Sequence, residues 1–185
     1  MDPVTDNELM FLVRDGDVGK LAILFERHHL KLFNFFVKMT GNRELSEDLV
    51  QEVFLRILKY RQTYRGDSHF ALWLYRIARN AHADHFRKKH AVDFNDEQLE
   101  GQQSNDPLPI DTIEYGQQID LLHRALAQLP HDKREVLVLS RFQELKYHEI
   151  ADLLNCTVGT IKLRVHRAIK ELRTAFYALT NEKLS

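Results

Sequence analysis

The chain has 185 residues, of which 44% are hydrophobic and 29% charged. This composition is typical of a globular protein with one domain or two small ones, and it excludes a largely disordered chain. No apolar stretch approaches the roughly 20 residues that span a bilayer, and the acidic start lacks the basic region of a signal peptide, so we expect a cytoplasmic protein without membrane insertion. A single cysteine, Cys156, excludes an internal disulfide and a multi-cysteine zinc site.

The net charge of -1 hides an uneven distribution along the chain. Residues 1–92 carry 15 Lys and Arg against 12 Asp and Glu, and residues 117–185 carry 11 against 8. Residues 93–116 carry no Lys or Arg and 7 Asp and Glu. Two mildly basic segments are therefore joined by an acidic one, so the near-neutral total conceals the positive surfaces that nucleic-acid binding needs.

Apolar residues recur at helical spacing throughout the first segment. The pattern predicts a helix over LAILFERHHLKLFNFFVKM and a second over SEDLVQEVFLRILKY, for which Ser46 is the predicted N-cap. A third predicted helix covers FALWLYRIARNAHADHFRKK, and we expect its aromatic residues Phe70 and Trp73 to pack in the core. Because no comparable alternating pattern is present, residues 1–92 are predicted to form an all-helical domain.

The acidic segment 93–116 has the composition of a flexible linker. It has no sustained helical or strand period, contains Pro107 and Pro109, and is rich in Asn, Gln and Asp. A solvated loop inside one domain is the alternative, but structureless loops of more than 20 residues are uncommon in compact folds. The sequence therefore predicts two domains, over residues 1–92 and 117–185.

The second segment predicts a helix-turn-helix. Helical patterns cover QIDLLHRALAQL, HDKREVLVLSRF and YHEIADLL, and the last is followed, after a turn of about four residues, by the helix TVGTIKLRVHRAIKELR. Ala151 is small where the last two helices cross. Asn155 suits a left-handed backbone in the turn, and Thr157 is the predicted N-cap of the last helix. Both domains are therefore predicted to be all-helical bundles.

The last predicted helix has one apolar and one basic side. The apolar stripe that faces the core consists of Ile161, Val165, Ala168 and Leu172. The side chains left outside include Lys162, His166, Arg167, Lys170 and Arg173. The N-terminus of a helix favours phosphate, and Lys or Arg one to two turns further can reach base edges in a major groove. The pattern therefore indicates DNA binding, with an ordinary solvated basic face as the alternative.

The chain resembles the sigma-70 superfamily, specifically its small two-domain extracytoplasmic-function (ECF) group, in the stretches DLVQEVFLRILKY, YRGDSHFALWLYRIARN and YHEIADLLNCTVGTIKLRVHRAIKELR. The likeness covers roughly residues 8–180. A helix-turn-helix alone is shared with many regulators, but its pairing with RGDSxFxxWLYRIARN is highly specific. The resemblance implies a protein that binds core RNA polymerase and directs it to promoter DNA. It also implies an anti-sigma partner, which in this family is usually linked to the membrane.

The resemblance assigns the minus-ten promoter element to the first domain. The loop RQTYRGDSH matches the family's segment that captures a flipped base, which places Tyr64 and Arg65 there. Asn80 and Asp84 match positions that face the non-template strand, with a local hydrogen-bonded surface pair as the alternative. Arg76 belongs to the same run of interleaved basic and aromatic residues, which suits the binding of unpaired bases by stacking and positive charge.

The resemblance also assigns a polymerase surface and a minus-thirty-five surface. Asp48, Gln51 and Glu52 match the family's polymerase-facing positions, with solvated acids of a first helical turn as the alternative. The positions that match minus-thirty-five contacts are Thr160, Lys162, Leu163, Arg164, His166 and Arg167. Leu163 departs from the small polar residue that is common there, and it suits contact with a thymine methyl group.

Two other classes of protein compete with this interpretation. A repressor or activator could use the same helix-turn-helix without core polymerase, but this leaves RGDSxFxxWLYRIARN unexplained. A metal site is conceivable at His82 and His85, or at His28 and His29. The chain has no HExxH motif and no glycine-rich phosphate loop, so the sequence predicts no enzyme, no cofactor and no metal site.

Overall fold

The computed structural model describes residues 4–93 and 113–183, with side chains at 4–87 and 118–181. Every regular element within these ranges is helical, which confirms the predicted fold class. None of the helices there is both long and apolar enough to span a bilayer. The contacts divide the chain into two compact units.

The first unit contains the described residues up to Asn34 and those from Glu44 to Asp93. The second contains Phe35–Arg43 and the described residues from Ile113 onward. The first unit therefore lacks nine residues that the sequence assigned to it. Most of the predicted linker 93–116 lies outside the described residues, but helices contain Asp93 and residues 113–116 at its two ends. The exact domain boundaries stay a prediction.

Helix α1 (Asp6–Arg14) opens the first unit and was not predicted from the sequence. A capping box begins it: the hydroxyl of Thr5 accepts from the backbone N–H of Glu8, and the Glu8 carboxylate accepts from the backbone N–H of Thr5 at 2.7 Å. Its buried residues are Leu9, Met10 and Val13. The helix is short, so its apolar period is weak, but the Thr-x-x-Glu signal was present in the sequence.

Three longer helices follow: α2 (Leu21–Thr40), α3 (Arg43–Tyr60) and α4 (Phe70–Asp93). Gly41 has a φ of +68° after α2, and α3 begins two residues later. Ser46 consequently lies inside α3 and is 0% exposed, so its predicted role as N-cap is wrong. The tight turn at Gly41 lets the helix start earlier than its apolar pattern does.

The second unit is arranged around its last helix. It contains α5 (Ile113–Ala127), α6 (His131–Leu137), α7 (Tyr147–Leu154) and α8 (Val158–Lys183), and α8 contacts each of the other three. The predicted helix over HDKREVLVLSRF continues beyond α6 as a wider π-helical turn, in which the N–H of Gln143 bonds to the carbonyl of Val138 at 3.0 Å. Glu144 then has a φ of 57°, which turns the chain toward α7.

Candidate functional site

The turn between α7 and α8 has the geometry that its residues predict. Asn155 ends α7 in the left-handed conformation, with φ 50° and ψ 52°. The backbone N–H of Cys156 donates to the carbonyl of Ala151 at 3.0 Å. The hydroxyl of Thr157 accepts from the backbone N–H of Thr160 at 3.1 Å, which confirms Thr157 as the N-cap of α8. The start of α8 is therefore held by local bonds on both sides of the turn.

Helix α8 buries its apolar stripe and exposes its basic side. Ile161, Val165 and Ala168 are buried, as predicted, and Leu172 is half-buried. The exposed side chains on the opposite face are Lys162, Leu163, His166, Arg167, Lys170 and Arg173. This face combines positive charge with one apolar side chain, which suits a helix that contacts both phosphates and base edges.

Two of the residues predicted to contact the minus-thirty-five element are less accessible. Thr160 and Arg164 are half-buried. The Thr160 hydroxyl lies 2.9 Å from that of Thr157, so it already takes part in the cap. Leu163, by contrast, is 49% exposed. It follows Lys162 and lies one helical turn before the exposed side chains of His166 and Arg167. A leucine in that position favours an apolar contact, because its side chain can neither donate nor accept a hydrogen bond.

The three predicted polymerase-binding residues lie on the outer face of α3. Asp48 and Gln51 are exposed, and Glu52 is half-buried. The Glu52 carboxylate accepts from Nε of Arg56 at 2.6 Å. Leu55 continues the same stripe and is 63% exposed. Sequence reasoning missed Leu55, although its spacing of seven residues from Asp48 was a signal. An exposed apolar side chain among polar groups gains free energy when a partner covers it.

An ion pair between Arg56 and Asp84 connects α3 to α4. Nη1 of Arg56 donates to Asp84 at 2.8 Å, and Nη2 of Arg87 donates to the other oxygen of Asp84 at 2.6 Å. Burial lowers the pKa of Arg56, but the hydrogen bonds and charges of Glu52 and Asp84 outweigh it and raise that pKa overall. Asp84 is thus paired with two arginines, and its negative charge is compensated locally. Asn80 is exposed on the same helix.

Tyr64 lies in the core of the first unit, whereas the resemblance placed it against a flipped base. It is 2% exposed, and its ring makes edge contacts with Phe11, at 5.3 Å between centroids, and with Trp73, at 5.1 Å. Burial, and then the charge of Asp6, raise the pKa of its phenol. In this conformation the ring offers no face on which a base can stack. The neighbouring Arg65 is exposed.

Helix α1 supports the loop between Tyr64 and α4. The side-chain oxygen of Asn7 accepts from the Tyr64 hydroxyl at 2.9 Å and from the backbone N–H of Phe70 at 2.7 Å. Gly66 has a φ of +74°, and a Cβ built there would lie 2.3 Å from Cζ of Phe11. The loop therefore passes directly over the Phe11 ring. These contacts join residues more than 50 positions apart, so no local pattern revealed them.

An acidic residue fastens α1 to α2. Asp6 accepts from Nη1 of Arg27 at 2.7 Å and lies 2.6 Å from Nε2 of His28. Partial burial raises the pKa of Asp6, but the hydrogen bonds and positive charges of Arg27 and His28 lower it further and leave it below the usual value. His28 is therefore engaged by Asp6. Across the described part of the chain, no group of three or more His, Cys, Asp and Glu has a metal-binding arrangement.

Comparison with known proteins agrees with the resemblance. Residues 24–92 match the family model Sigma-70 region 2, and residues 119–172 match Sigma-70, region 4. The RNA polymerase sigma-H factor of Pseudomonas aeruginosa is 30% identical, and the match covers 96% of each chain. The ECF RNA polymerase sigma factor SigW of Bacillus subtilis is 31% identical over 87% of this chain and 91% of its own. RNA polymerase sigma factor CarQ of Myxococcus xanthus is 34% identical over 86% and 91%.

Two solved structures share the fold. The sigma factor RpoE in complex with the anti-sigma factor NepR from Bartonella quintana has a TM-score of 0.72 at 23% identity and covers 84% of this chain and 96% of its own. CnrH in complex with the cytosolic domain of CnrY has a TM-score of 0.70 at 21% identity, with coverage of 94% and 97%. The chain belongs to the sigma-70 superfamily, in the ECF group of RNA polymerase sigma factors.

Substitution of Gly66 tests the packing of the loop on Phe11. Gly66→Ala combines a left-handed backbone with a steric clash, whereas Gly41→Ala, at a φ of +68° with open space around it, has only the backbone cost. We expect Gly41→Ala to lower the free energy of unfolding by about 1–2 kcal/mol and Gly66→Ala by at least about 1 kcal/mol more. Denaturant unfolding is followed by the fluorescence of Trp73, the single tryptophan, for Gly66→Ala in the first unit, and by far-ultraviolet circular dichroism for Gly41→Ala in the second. Equal losses would contradict the packing.

Proposed function

We propose that this protein binds core RNA polymerase and directs it to promoters through two DNA-binding surfaces. The carrying observation is the outer face of α8: exposed Lys162, His166 and Arg167 stand opposite a buried apolar stripe, directly behind a capped turn. Such a helix is built to enter a major groove. Membership of the ECF group supports the pairing of this surface with a second one in region 2.

The minus-thirty-five element is read as duplex by α8. Lys162 is exposed about one turn and Arg167 about two and a half turns from the start of α8, and both side chains can donate to guanine or to phosphate. Leu163 contacts a thymine methyl, since it is exposed and apolar. His166 contacts a base edge or a phosphate from the same face. Thr160 and Arg164 act nearer the backbone of the DNA, because they are half-buried at the rim of this face.

The minus-ten element is bound as unpaired strand by the first unit. Arg65 extends from the loop, and Arg76 and Asn80 are exposed on α4, so these three side chains are available to phosphates and base edges. Tyr64 contributes by anchoring the loop from inside, since its ring is buried. Asp84 contributes by holding the side chains of Arg56 and Arg87 in place. The two arginines in turn neutralise its carboxylate, so that the surface does not repel DNA at this position.

Core polymerase binds the outer face of α3. Asp48, Gln51 and Glu52 supply polar contacts, and Leu55 supplies the apolar centre. Interfaces of this kind commonly owe most of their affinity to a few central side chains surrounded by polar ones. We also propose a cytoplasmic location, where polymerase and promoter are found, and an anti-sigma factor as the inhibiting partner, linked to the membrane as in much of the family. The polymerase core carries out the chemistry, and this chain supplies binding and position.

A regulator that acts without polymerase is the weaker candidate. It accounts for the helix-turn-helix in the second unit but gives no role to the exposed stripe on α3 or to the supported loop before α4. Such a protein binds duplex tightly by itself, whereas the proposed one binds promoter DNA well only in the presence of core. Binding to the same duplex with and without core separates the two.

Two equally exposed leucines allow a matched test of the polymerase surface. Leu55 on α3 and Leu30 on α2 are both 63% exposed. We expect Leu55→Ala to weaken binding to core by about 1–2 kcal/mol, or roughly five- to thirty-fold, because it removes the apolar centre of the interface. Leu30→Ala removes the same atoms outside the proposed surface and should leave the affinity unchanged. Titration of core with labelled protein measures both, and equal effects would exclude α3 as the specific contact.

A pair of exposed cations on α8 tests how DNA is read. Arg167→Ala should cost about 1–3 kcal/mol on the preferred minus-thirty-five sequence and much less on a scrambled one, because a base contact is lost. Lys170→Ala should weaken both to a similar extent and reduce the dependence on salt by about one counterion, as expected for a phosphate contact. Binding isotherms of the complex with core at several salt concentrations provide these values. An equal loss on both sequences for Arg167→Ala would make it a phosphate contact too.

A further inference from the structure

Both ends of the loop before α4 are bonded to one atom on α1. The side-chain oxygen of Asn7 accepts from the hydroxyl of Tyr64 at 2.9 Å and from the backbone N–H of Phe70 at 2.7 Å. Residues 65–69 lie between these two anchors. Because the backbone N–H of Phe70 can only donate, the oxygen and not the nitrogen of the Asn7 amide must face it. One side chain therefore sets the distance between the ends of the loop.

The same helix supports the middle of the loop. Gly66 passes so close to the Phe11 ring that no Cβ fits between them. Phe11 also contacts the Tyr64 ring edge-on. At the other end, the Gln62 side chain donates to the carbonyl of Arg14 at 2.7 Å. Helix α1 thus contacts this part of the chain at four positions, from Gln62 before the loop to Phe70 at the start of α4.

Helix α1 is itself fixed to the rest of the first unit. The capping box of Thr5 and Glu8 closes the start of α1, and Asp6 bonds to Arg27 and His28 on α2. The first N–H groups of a helix have no partner within it, so the N–H of Phe70 needs an acceptor from elsewhere, and Asn7 supplies it. The shape of the loop is therefore established without any contribution from DNA.

We propose that Asn7 is a positioning residue for recognition of the minus-ten element. This inference rests on the proposed role of the loop in capturing an unpaired base. Asn7 holds Tyr64 and Phe70 at the separation at which the loop accepts that base. Through these two bonds it determines base selectivity without contacting the base itself. A preformed loop loses little conformational freedom on binding. Without its anchor, only a fraction of molecules has the competent shape, and the apparent affinity falls by that fraction.

Base selectivity is the readout that separates positioning from general stability. The probe is a fluorescent single strand that carries the non-template minus-ten region of a promoter mapped with this protein, bound to the complex of full-length protein and core. A second strand lacks the base at the captured position. We expect wild type to prefer the intact strand and Asn7→Ala to lower that preference about ten-fold, as for the loss of two hydrogen bonds. Asn7→Asp keeps acceptor oxygens for both donors and should restore most of it.

Two further variants keep the test decisive. Thr5→Ala removes the cap of α1 but touches neither anchor, so it should lower thermal stability and leave the preference unchanged. Tyr64→Phe deletes one of the two donors and should reduce the preference by an intermediate factor, which tests the anchor even if Asn7→Ala does not fold. Wild-type preference in Asn7→Ala or in Tyr64→Phe, or an equal loss in Thr5→Ala, would overturn the proposal. A wild-type complex that ignores the missing base would instead contradict the proposed role of the loop.

Discussion

Burial of the apolar stripe on α8 is the constraint that determines the orientation of the proposed DNA-binding surface. Ile161, Val165 and Ala168 pack inward, and complete burial of a large aliphatic side chain contributes about 1.5–3 kcal/mol. Rotation of the helix about its axis would expose this stripe and bury lysine and arginine in its place, which is far more costly. The orientation of Lys162, His166 and Arg167 toward solvent is therefore a consequence of packing on the other side. The turn at Asn155 and the cap at Thr157 then fix where the helix begins.

The first unit combines the same principle with specific polar contacts. On α3, burial of Leu49, Val53 and Ile57 leaves Asp48 and Leu55 on the outside. Apolar packing alone does not fix the loop before α4, which has few buried residues of its own. There the directional bonds of Asn7 and the close approach of Gly66 to α1 supply the constraint. The proposed surfaces for duplex DNA and for polymerase thus follow from helix amphipathicity, whereas the proposed surface for unpaired DNA depends on long-range hydrogen bonds.

This difference explains what the sequence could and could not predict. The helix-turn-helix was predictable in detail, because its stripe, cap and left-handed residue all lie within 20 positions of one another. The interior position of Tyr64 was not, since its partner Asn7 is 57 residues away. The pairing of Arg56 with Asp84 spans 28 residues and was likewise invisible to local patterns. Helix α1 was missed because an apolar pattern over nine residues is too short to indicate a helix. The capping-box residues Thr5 and Glu8 could nevertheless have been recognised in the sequence.

Two smaller differences have local causes. The apolar pattern of α3 suggested a start near Ser46, but the turn at Gly41 directs the chain into the helix earlier, at Arg43. The apolar pattern after Pro130 did not distinguish an α-helix from the π-helical turn that ends it at Phe142. A pattern of buried residues predicts that a segment is helical more reliably than it predicts where the helix starts or widens.

Transcription with purified components tests the central claim most directly. Core RNA polymerase, freed of its own sigma factors, is combined with this protein and a library of genomic fragments from its source, and the 5′ ends of the transcripts are mapped. The account requires discrete start sites that appear only when the protein is added and that share a sequence at the minus-ten and minus-thirty-five positions. Random or absent initiation, from a core that is fully active with a primary sigma factor, would show that the chain does not direct polymerase to promoters.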